Sequence, residues 1–590
     1  MSEQQQAVRH RLIMAGLGGI AGLALWALGE RWGDPAVPPA AFLALFAFVA
    51  SYALVALALC GPITVARALA GGLAFAATFT VLISIAGLRY KAATDLFNDA
   101  AMLSVSAVLV LFCTPFLLVW LQDRTAVLRY DRLFDAAWML TARYALAWVF
   151  VAAFWLVAFL SDALLDLVDI TVIDTLLRPG WVRFGVSGAV LGLGLAVMQE
   201  LRHTLSPYPL LRLFRLLVPL VLAVIAVFLV AVPLRGLRGL FGEFSAGGTL
   251  IGAAAVAVSL ISMALDRDDA MAVRTRGLQL ATRCLALLVP ALAALAVWAV
   301  VLRVRQYGWT PDRILAMTVA SFLLIYGLGY AGAVLTGRSW MARVRQINVW
   351  VALLAIAVAV AWMTPLLDVY RISTASQLAR YESGHTAPAQ LALWPLAHEW
   401  GRAGEAGLAA LETAAEKSDN ALLVQRIGDV RIATNRYQFE EELQIRDLSE
   451  RMSALLNLMP VRPDGASVEP ETLRNLPAYL LNAWLDGCRR KTADGRPGCV
   501  MVKGAFLPSV AAGEQAMILY LDDKSDTRIS HVFLQPGSSV SIRDVLDTET
   551  LGWPKLPSAT ISEVQDGRYS LQPSGVNALA VGGQLLAPAQ

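Results

Sequence analysis

AAFLALFAFVASYALVALAL, residues Ala40–Leu59, decides the fold class. Its 20 residues carry no charge. At 1.5 Å per residue a helix of this length is about 30 Å long, the thickness of a bilayer's hydrocarbon core. A strand cannot satisfy its backbone donors and acceptors alone in hydrocarbon, whereas a helix can. The segment is therefore expected to be a transmembrane helix.

Ten further runs read the same way: Leu12–Leu28, Ala68–Leu88, Ala101–Leu121, Tyr144–Leu160, Phe184–Met198, Leu216–Leu234, Thr249–Leu265, Cys284–Leu302, Ile314–Leu335 and Ile347–Leu367. The composition agrees: 57% of the chain is hydrophobic and 16% charged, against about 25% charged in soluble domains. Residues 1–370 are expected to form an α-helical polytopic membrane bundle of about 11 helices. The formal net charge of +3 conceals a basic membrane part and an acidic tail. No basic patch with interleaved aromatics occurs in that tail, so nucleic acid is not an expected partner.

Arginine sets the expected orientation. With the N-terminus inside, the cytoplasmic connectors hold Arg9 and Arg11; Arg124, Arg129 and Arg132; Arg202, Arg212 and Arg215; Arg267, Arg274 and Arg276; and Arg338, Arg343 and Arg345. This is the positive-inside bias of a bacterial inner-membrane protein. Eleven crossings then place the tail in the periplasm. The first span is expected to be a retained anchor, because no convincing small-residue cleavage site follows it. Cys488 and Cys499 flank a polar loop, GCRRKTADGRPGC, and are a disulfide candidate. Such bridges persist in the periplasm and not in the cytosol.

Gly18 and Gly22, and likewise Gly188 and Gly192, have GxxxG spacing. The expectation is close packing within one bundle rather than dimerisation. Two connectors, DRTAVLRYDRLFDAAWML (123–140) and SDALLDLVDITVIDTLLRPGW (161–181), read as helices lying on the membrane. In the second, Asp162, Asp166 and Asp169 are expected to face solvent rather than hold a cation. Arg143, Arg183, Arg283 and Asp368 lie near span ends, where snorkelling suffices.

The connector LRVRQYGWTPDR (302–313) is expected outside. Thr310, Pro311 and Asp312 suit a helix start. Tyr307 and Trp309 suit the interface. Arg303, Arg305 and Arg313, with these two aromatics, are candidate contacts for lipid or another anion. YGWTPDR resembles the Tyr-Gly-Leu-Thr-x-x-Arg signature of domain of unknown function family 4153, bacterial multipass membrane proteins, with Trp309 in place of Leu. LLDLVDITVIDTLL (164–177) is similar to the family's Leu-Phe-x-x-Ile-Gly-Ile segment, with Asp169 in place of Gly. The resemblance extends over most of the membrane part and to WGRAGEAGLAAL (400–411). It implies architecture and carries no catalytic residues.

The tail is expected to be an α+β extracytoplasmic domain. Residues 371–486 read as helical, and 487–590 as β-rich, a small antiparallel sheet or sandwich. Its strand signals are VMVKGAFL, AMILYL, ISHVFLQ, SVSIRDV, ATISEV, RYSLQP and ALAVGG, with LDDKSDTR as a hairpin connection. Signals for chemistry are few. His398-Glu399 lacks the second His of HExxH, since position 402 is Arg402. Asp522, Asp523 and Asp526 lack the Gly and Glu of a calcium loop. No cofactor, metal or catalytic residue is expected.

The leading expectation is a non-enzymatic inner-membrane protein acting in envelope maintenance or assembly. Membrane lipids are its expected partners, and envelope proteins a further candidate through the exported domain. The alternatives are a carrier or flippase of a lipid-like anionic substrate, and an outer-leaflet enzyme using His398 and Glu399.

Overall fold

The computed structural model describes residues 3–201, 208–235, 246–337, 339–384, 386, 391–468, 473, 476–507, 515–523, 525–534, 542–547, 553–554, 556–573 and 577–588. Arg202 and Arg338 lie outside the described residues. Two compact units are formed, Met1–Gly428 and Asp429–Gln590.

The first unit contains eleven helices long and apolar enough to cross a membrane, among the described residues. In chain order its helices are α1 (Glu3–Gly29), α2 (Pro39–Leu59), α3 (Val65–Gly87), α4 (Ala100–Gln122), α5 (Tyr130–Asp166), α6 (Val172–Leu177), α7 (Gly180–Glu200), α8 (Tyr208–Arg215), α9 (Val218–Arg235), α10 (Ala246–Leu265), α11 (Arg276–Tyr307), α12 (Pro311–Leu335) and α13 (Trp340–Met363). Helix α6 is too short to span, and the end of α8 continues into α9 as the seventh span, Arg212–Val232. Three more helices complete the unit: α14 (Val369–Glu382), α15 (Gly401–Lys417) and the start of α16 (Ala421–Ile432). The chain is a multipass membrane protein of this architecture.

Both expected interfacial helices are different in the structure. Residues 130–140 are the start of α5, one 37-residue helix. Apolarity marks only the part of a helix that meets lipid, so the charged first three turns looked separate. Its Leu133 and Phe134 are buried. The second segment is broken: α5 ends at Asp166, Asp169 takes a left-handed φ of 58°, and only Val172–Leu177 is helical again. Asp169 thus leaves the helix that carries Asp162 and Asp166.

Two apolar cores fill the bundle. One joins α1–α5 and α7, around Met14, Leu59, Leu118 and Leu195. The other joins α9–α13, around Ile225, Ile261, Val289 and Tyr330. In the first, α1 and α7 meet through their glycines. A Cβ on Gly18 would lie 2.0 Å from the Gly188 carbonyl oxygen, and one on Gly192 2.1 Å from that of Met14. The spacing therefore serves packing within the bundle, because only hydrogen fits between the two backbones.

Buried arginines close several helix ends. Arg143, 4% exposed, donates to Ala58 O (3.1 Å) and Cys60 O (3.0 Å) at the C-terminus of α2, and to Leu195 O (3.5 Å). Snorkelling does not describe it. Arg345 donates to Leu265 O (2.7 Å) and Asp266 O (3.1 Å) at the end of α10, and Arg215 to Met263 O (2.9 Å). Arg215 also pairs with the buried Asp266. Arg89, only half-buried, does the same at the end of α13, donating to Trp362 O (2.7 Å) and Thr364 O. The last carbonyls of a helix have no partners within it and carry its negative dipole end. A guanidinium with five donors satisfies several at once.

The first unit extends past the composition change at Tyr370 because α14 and α15 pack on the bundle. Lys91 Nζ donates to Ala397 O at 2.9 Å, and Arg402 N to Arg89 O at 2.9 Å.

Among the described residues the second unit contains α17 (Arg436–Leu458), α18 (Ala478–Arg489), α19 (Ala559–Gln565) and nine strands: β1 (Val461–Arg462), β2 (Cys499–Lys503), β3 (Gln515–Leu521), β4 (Thr527–Phe533), β5 (Ile542–Arg543), β6 (Val545–Asp547), β7 (Ser570–Pro573), β8 (Asn577–Val581) and β9 (Gln584–Pro588). One sheet runs β1-β2-β3-β4-β5, antiparallel except β1 with β2, and the other β6-β9-β8-β7. Alternation divides the central strands. Cys499, Met501, Ala516 and Ile518 face α17 and α18. Val500, Val502, Met517 and Leu519 face the second sheet and α19. Helices and strands thus share one core here, and Cys488 and Cys499 are joined as a disulfide. ATISEV is not a strand but lies in α19. Its buried Thr560, Ile561, Val564 and Gln565 follow a helical face, a spacing too short to tell from alternation in sequence.

Candidate functional site

The connector at Tyr307 is built from helix ends. Thr310 Oγ1 accepts from Arg313 N at 3.4 Å, and Pro311 and Asp312 occupy the first turn of α12. Gly308 closes α11 with a φ of 77°, a conformation other L-residues avoid. Helix α14 clasps this turn. Gln377 Nε2 donates to Tyr307 O (3.1 Å), Trp309 N to Ser376 Oγ (3.0 Å), and Arg380 to Arg305 O (3.0 Å) and Gln306 O (2.7 Å).

Three of the five candidates, Arg303, Tyr307 and Arg313, come together here. Tyr307 is about half exposed, with the guanidinium carbons of Arg303 and Arg313 at 5.9 and 5.4 Å from its ring centroid. Arg313 Nη1 also donates to Gly308 O at 2.7 Å. Arg305 is exposed and Trp309 half-buried. No ion pair to a carboxylate forms at Arg303, Arg305 or Arg313 among the described residues.

A second anchor, not anticipated from sequence, sits at the same end of the bundle. The Asp99 carboxylate caps α4 through Ala101 N (2.9 Å) and Met102 N (3.1 Å). It also accepts from Tyr90 Oη (2.6 Å) and from Tyr370 Oη. Burial, the neighbouring phenol and the carboxylate together push Tyr90 well above the usual tyrosine range. Burial and Asp99 do the same for Tyr370. Both phenols therefore stay protonated and donate. The three residues tie the connector before α4 to α14.

A cavity of about 1060 Å³ lies between the two cores. Its walls are α2, α4 and the first half of α5, with α10, α12 and α13 behind. It opens at the side of the bundle, where Leu54, Leu111 and Trp148 are exposed. Among the described residues, no charged one lines it. Its polar groups include an uncharged network on the α13 side. Tyr330 Oη donates to Asn348 Oδ1, and Asn348 Nδ2 to Ser262 Oγ (3.3 Å) and Tyr130 Oη (3.5 Å). Tyr130, Ser262 and Asn348 reach the cavity wall. One signal could have found this network: Asn348 is the sole asparagine in the spanning segments, and an amide in hydrocarbon needs a partner.

The remaining candidates stay apart from these sites. His398 and Glu399 are exposed on one turn, with the His398 ring 4.1 Å from that of Trp394. Asp522 is committed to the β3–β4 hairpin, accepting from Asp526 N (3.0 Å) and Arg528 Nε (2.9 Å). Among the described residues no three His, Cys, Asp or Glu side chains gather as a metal site. Comparison with protein-family models, curated proteins and solved structures gives no match.

Proposed function

We propose that the chain is a bacterial inner-membrane protein, N-terminus cytoplasmic and Asp429–Gln590 periplasmic, that serves envelope maintenance or assembly without catalysis by holding lipid at its flank. The observation that carries this reading is the side-opening cavity of about 1060 Å³ with an uncharged lining. It exceeds the roughly 300–1,000 Å³ of drug-sized pockets. Apolar walls suit acyl chains, and the Asn348 network suits an uncharged polar group near them. The arginine distribution and the Cys488–Cys499 bridge support the orientation. The YGWTPDR motif supports membership of domain of unknown function family 4153.

The test is lipid mass spectrometry on protein purified in mild detergent. Ala50 and Ala107 line the cavity, so Ala50→Trp with Ala107→Trp fills it. Wild type should retain lipid that the filled variant, eluting and melting normally, loses. Equal lipid on both would refute the reading. The cavity's length favours one alternative, a carrier of lipid-like anions. Leu43 and Ala58 both line it and lie about 22 Å apart along α2 at 1.5 Å per residue, most of the hydrocarbon thickness. Liposomes containing the protein that fail to move labelled lipid between leaflets would remove that alternative.

A further inference from the structure

A second groove, of about 440 Å³, runs down α12 and α13 from Trp309 and Ile372, past Phe322, Ile325, Leu354 and Val358. It is separate from the larger cavity and shares no lining residue with it. On α12 it extends from Ile314 to Ile325, about 16 Å at 1.5 Å per residue. Half the hydrocarbon core is about 15 Å. The groove is therefore one leaflet deep.

Its mouth is the arginine cluster. Arg313 precedes Ile314 and stands one turn above Met317, both groove residues. Arg303 and Arg313 both lie within 6 Å of the Tyr307 ring centroid. Arg380 spends its donors on Arg305 O, Gln306 O and Thr386 Oγ1, and so serves as the brace. Arg313 commits Nη1 to the turn, which fixes its position and leaves its other N–H groups available. Asp312, the neighbouring carboxylate, acts on Arg313 through its charge but forms no close ion pair with these cations among the described residues. Gathering like charges at a membrane surface is unfavourable unless an anion neutralises them. Guanidinium groups match phosphate oxygens in geometry and charge. The aromatic pair marks headgroup depth.

We propose that this site binds one anionic diacyl phospholipid, its phosphate held by Arg303 and Arg313 and one acyl chain in the α12–α13 groove. The site does not depend on the cavity reading. Only the leaflet, the periplasmic one, follows from the proposed orientation.

The full chain in detergent is titrated with phosphatidylglycerol and with phosphatidylcholine, and bound lipid is counted by native mass spectrometry. Wild type should favour phosphatidylglycerol at least tenfold. The exposed Arg303→Gln should lose most of that preference, whereas Arg305→Gln, exposed on another side of α11, should keep it. Ser321→Trp, which narrows the groove, should weaken both lipids and leave the arginines intact. Glycerol phosphate at equal concentration should not compete. Unchanged preference in Arg303→Gln, unchanged affinity in Ser321→Trp, or full competition by glycerol phosphate would each overturn the proposal. The last outcome would indicate a site for a free anion. Filling the larger cavity with Ala50→Trp and Ala107→Trp should leave the preference in place, so the two readings fail separately.

Discussion

Adding one methyl group to Gly18 or Gly188 should separate α1 from α7. A Cβ on Gly18 would stand 2.0 Å from Gly188 O, and one on Gly188 2.1 Å from Gly18 O. Ordinary contact begins at 3.4 Å, so the backbones must part by about 1.4 Å. The obstacle is a carbonyl in a helix, which cannot rotate away as a side chain can. Overpacking of this kind costs about 1–3 kcal/mol, and the seam loses dispersion contacts along its length. Gly18→Ala and Gly188→Ala should each lower stability by that amount. The double variant should cost little more than either single one, because the first methyl opens the gap that the second needs. Gly16 provides the control. It lies on the same helix with nothing within 4 Å of a built Cβ. Gly16→Ala should be neutral, or stabilising by up to about 1 kcal/mol from helix propensity. Reversible unfolding in mixed micelles, monitored by tryptophan fluorescence, measures all four variants. Single variants within about 0.3 kcal/mol of wild type, or costs that add in the double variant, would refute the reasoning.

Acid should loosen the second unit through His531. The residue is fully buried in β4, and burial, then Arg543, pulls it down to about 4. An unfolded chain binds this proton near pH 6.5. Stability should therefore be level above pH 6.5, fall between pH 6.5 and 4 by on the order of 3 kcal/mol, and level again below. His531→Asn should flatten that slope in a urea titration across pH, and an unchanged slope would contradict the assignment. At the end of α2, burial pushes the Cys60 thiol up to about 11. Cys60 should resist maleimide at pH 8 in the folded protein. Arg143→Met strips donors from Ala58 O and Cys60 O, at about 1–3 kcal/mol per orphaned group. Its melting temperature in detergent should fall accordingly. An unchanged melting temperature would mean that Arg143 does not close this helix end.

Much of the bundle was legible because hydrocarbon selects residues one at a time. Ala40–Leu59 and Pro39–Leu59 differ by a single residue. Where polar residues continue a helix, that rule has no purchase, and α5 was read as two pieces. Thr310, Pro311 and Asp312 were legible because capping is local. In the second unit, the short apolar run AMILYL gave the strand, whereas ATISEV carried a pattern that only its neighbours resolve. The Cys488–Cys499 pairing rested on an 11-residue separation that a turn can close.

By itself, the sequence determined the helices long and apolar enough to cross a membrane, the basic and acidic halves, and the glycines able to admit a close neighbour, since each depends on residue type and short spacing. Tertiary structure alone decided which helix those glycines meet, that Arg143 and Arg345 close helix ends, and that Asn348 joins residues from α5, α10 and α12 beside a cavity. Those outcomes depend on distances between residues far apart in the chain, and hydrophobic periodicity, which tells every spanning helix to bury one face, does not say against which partner.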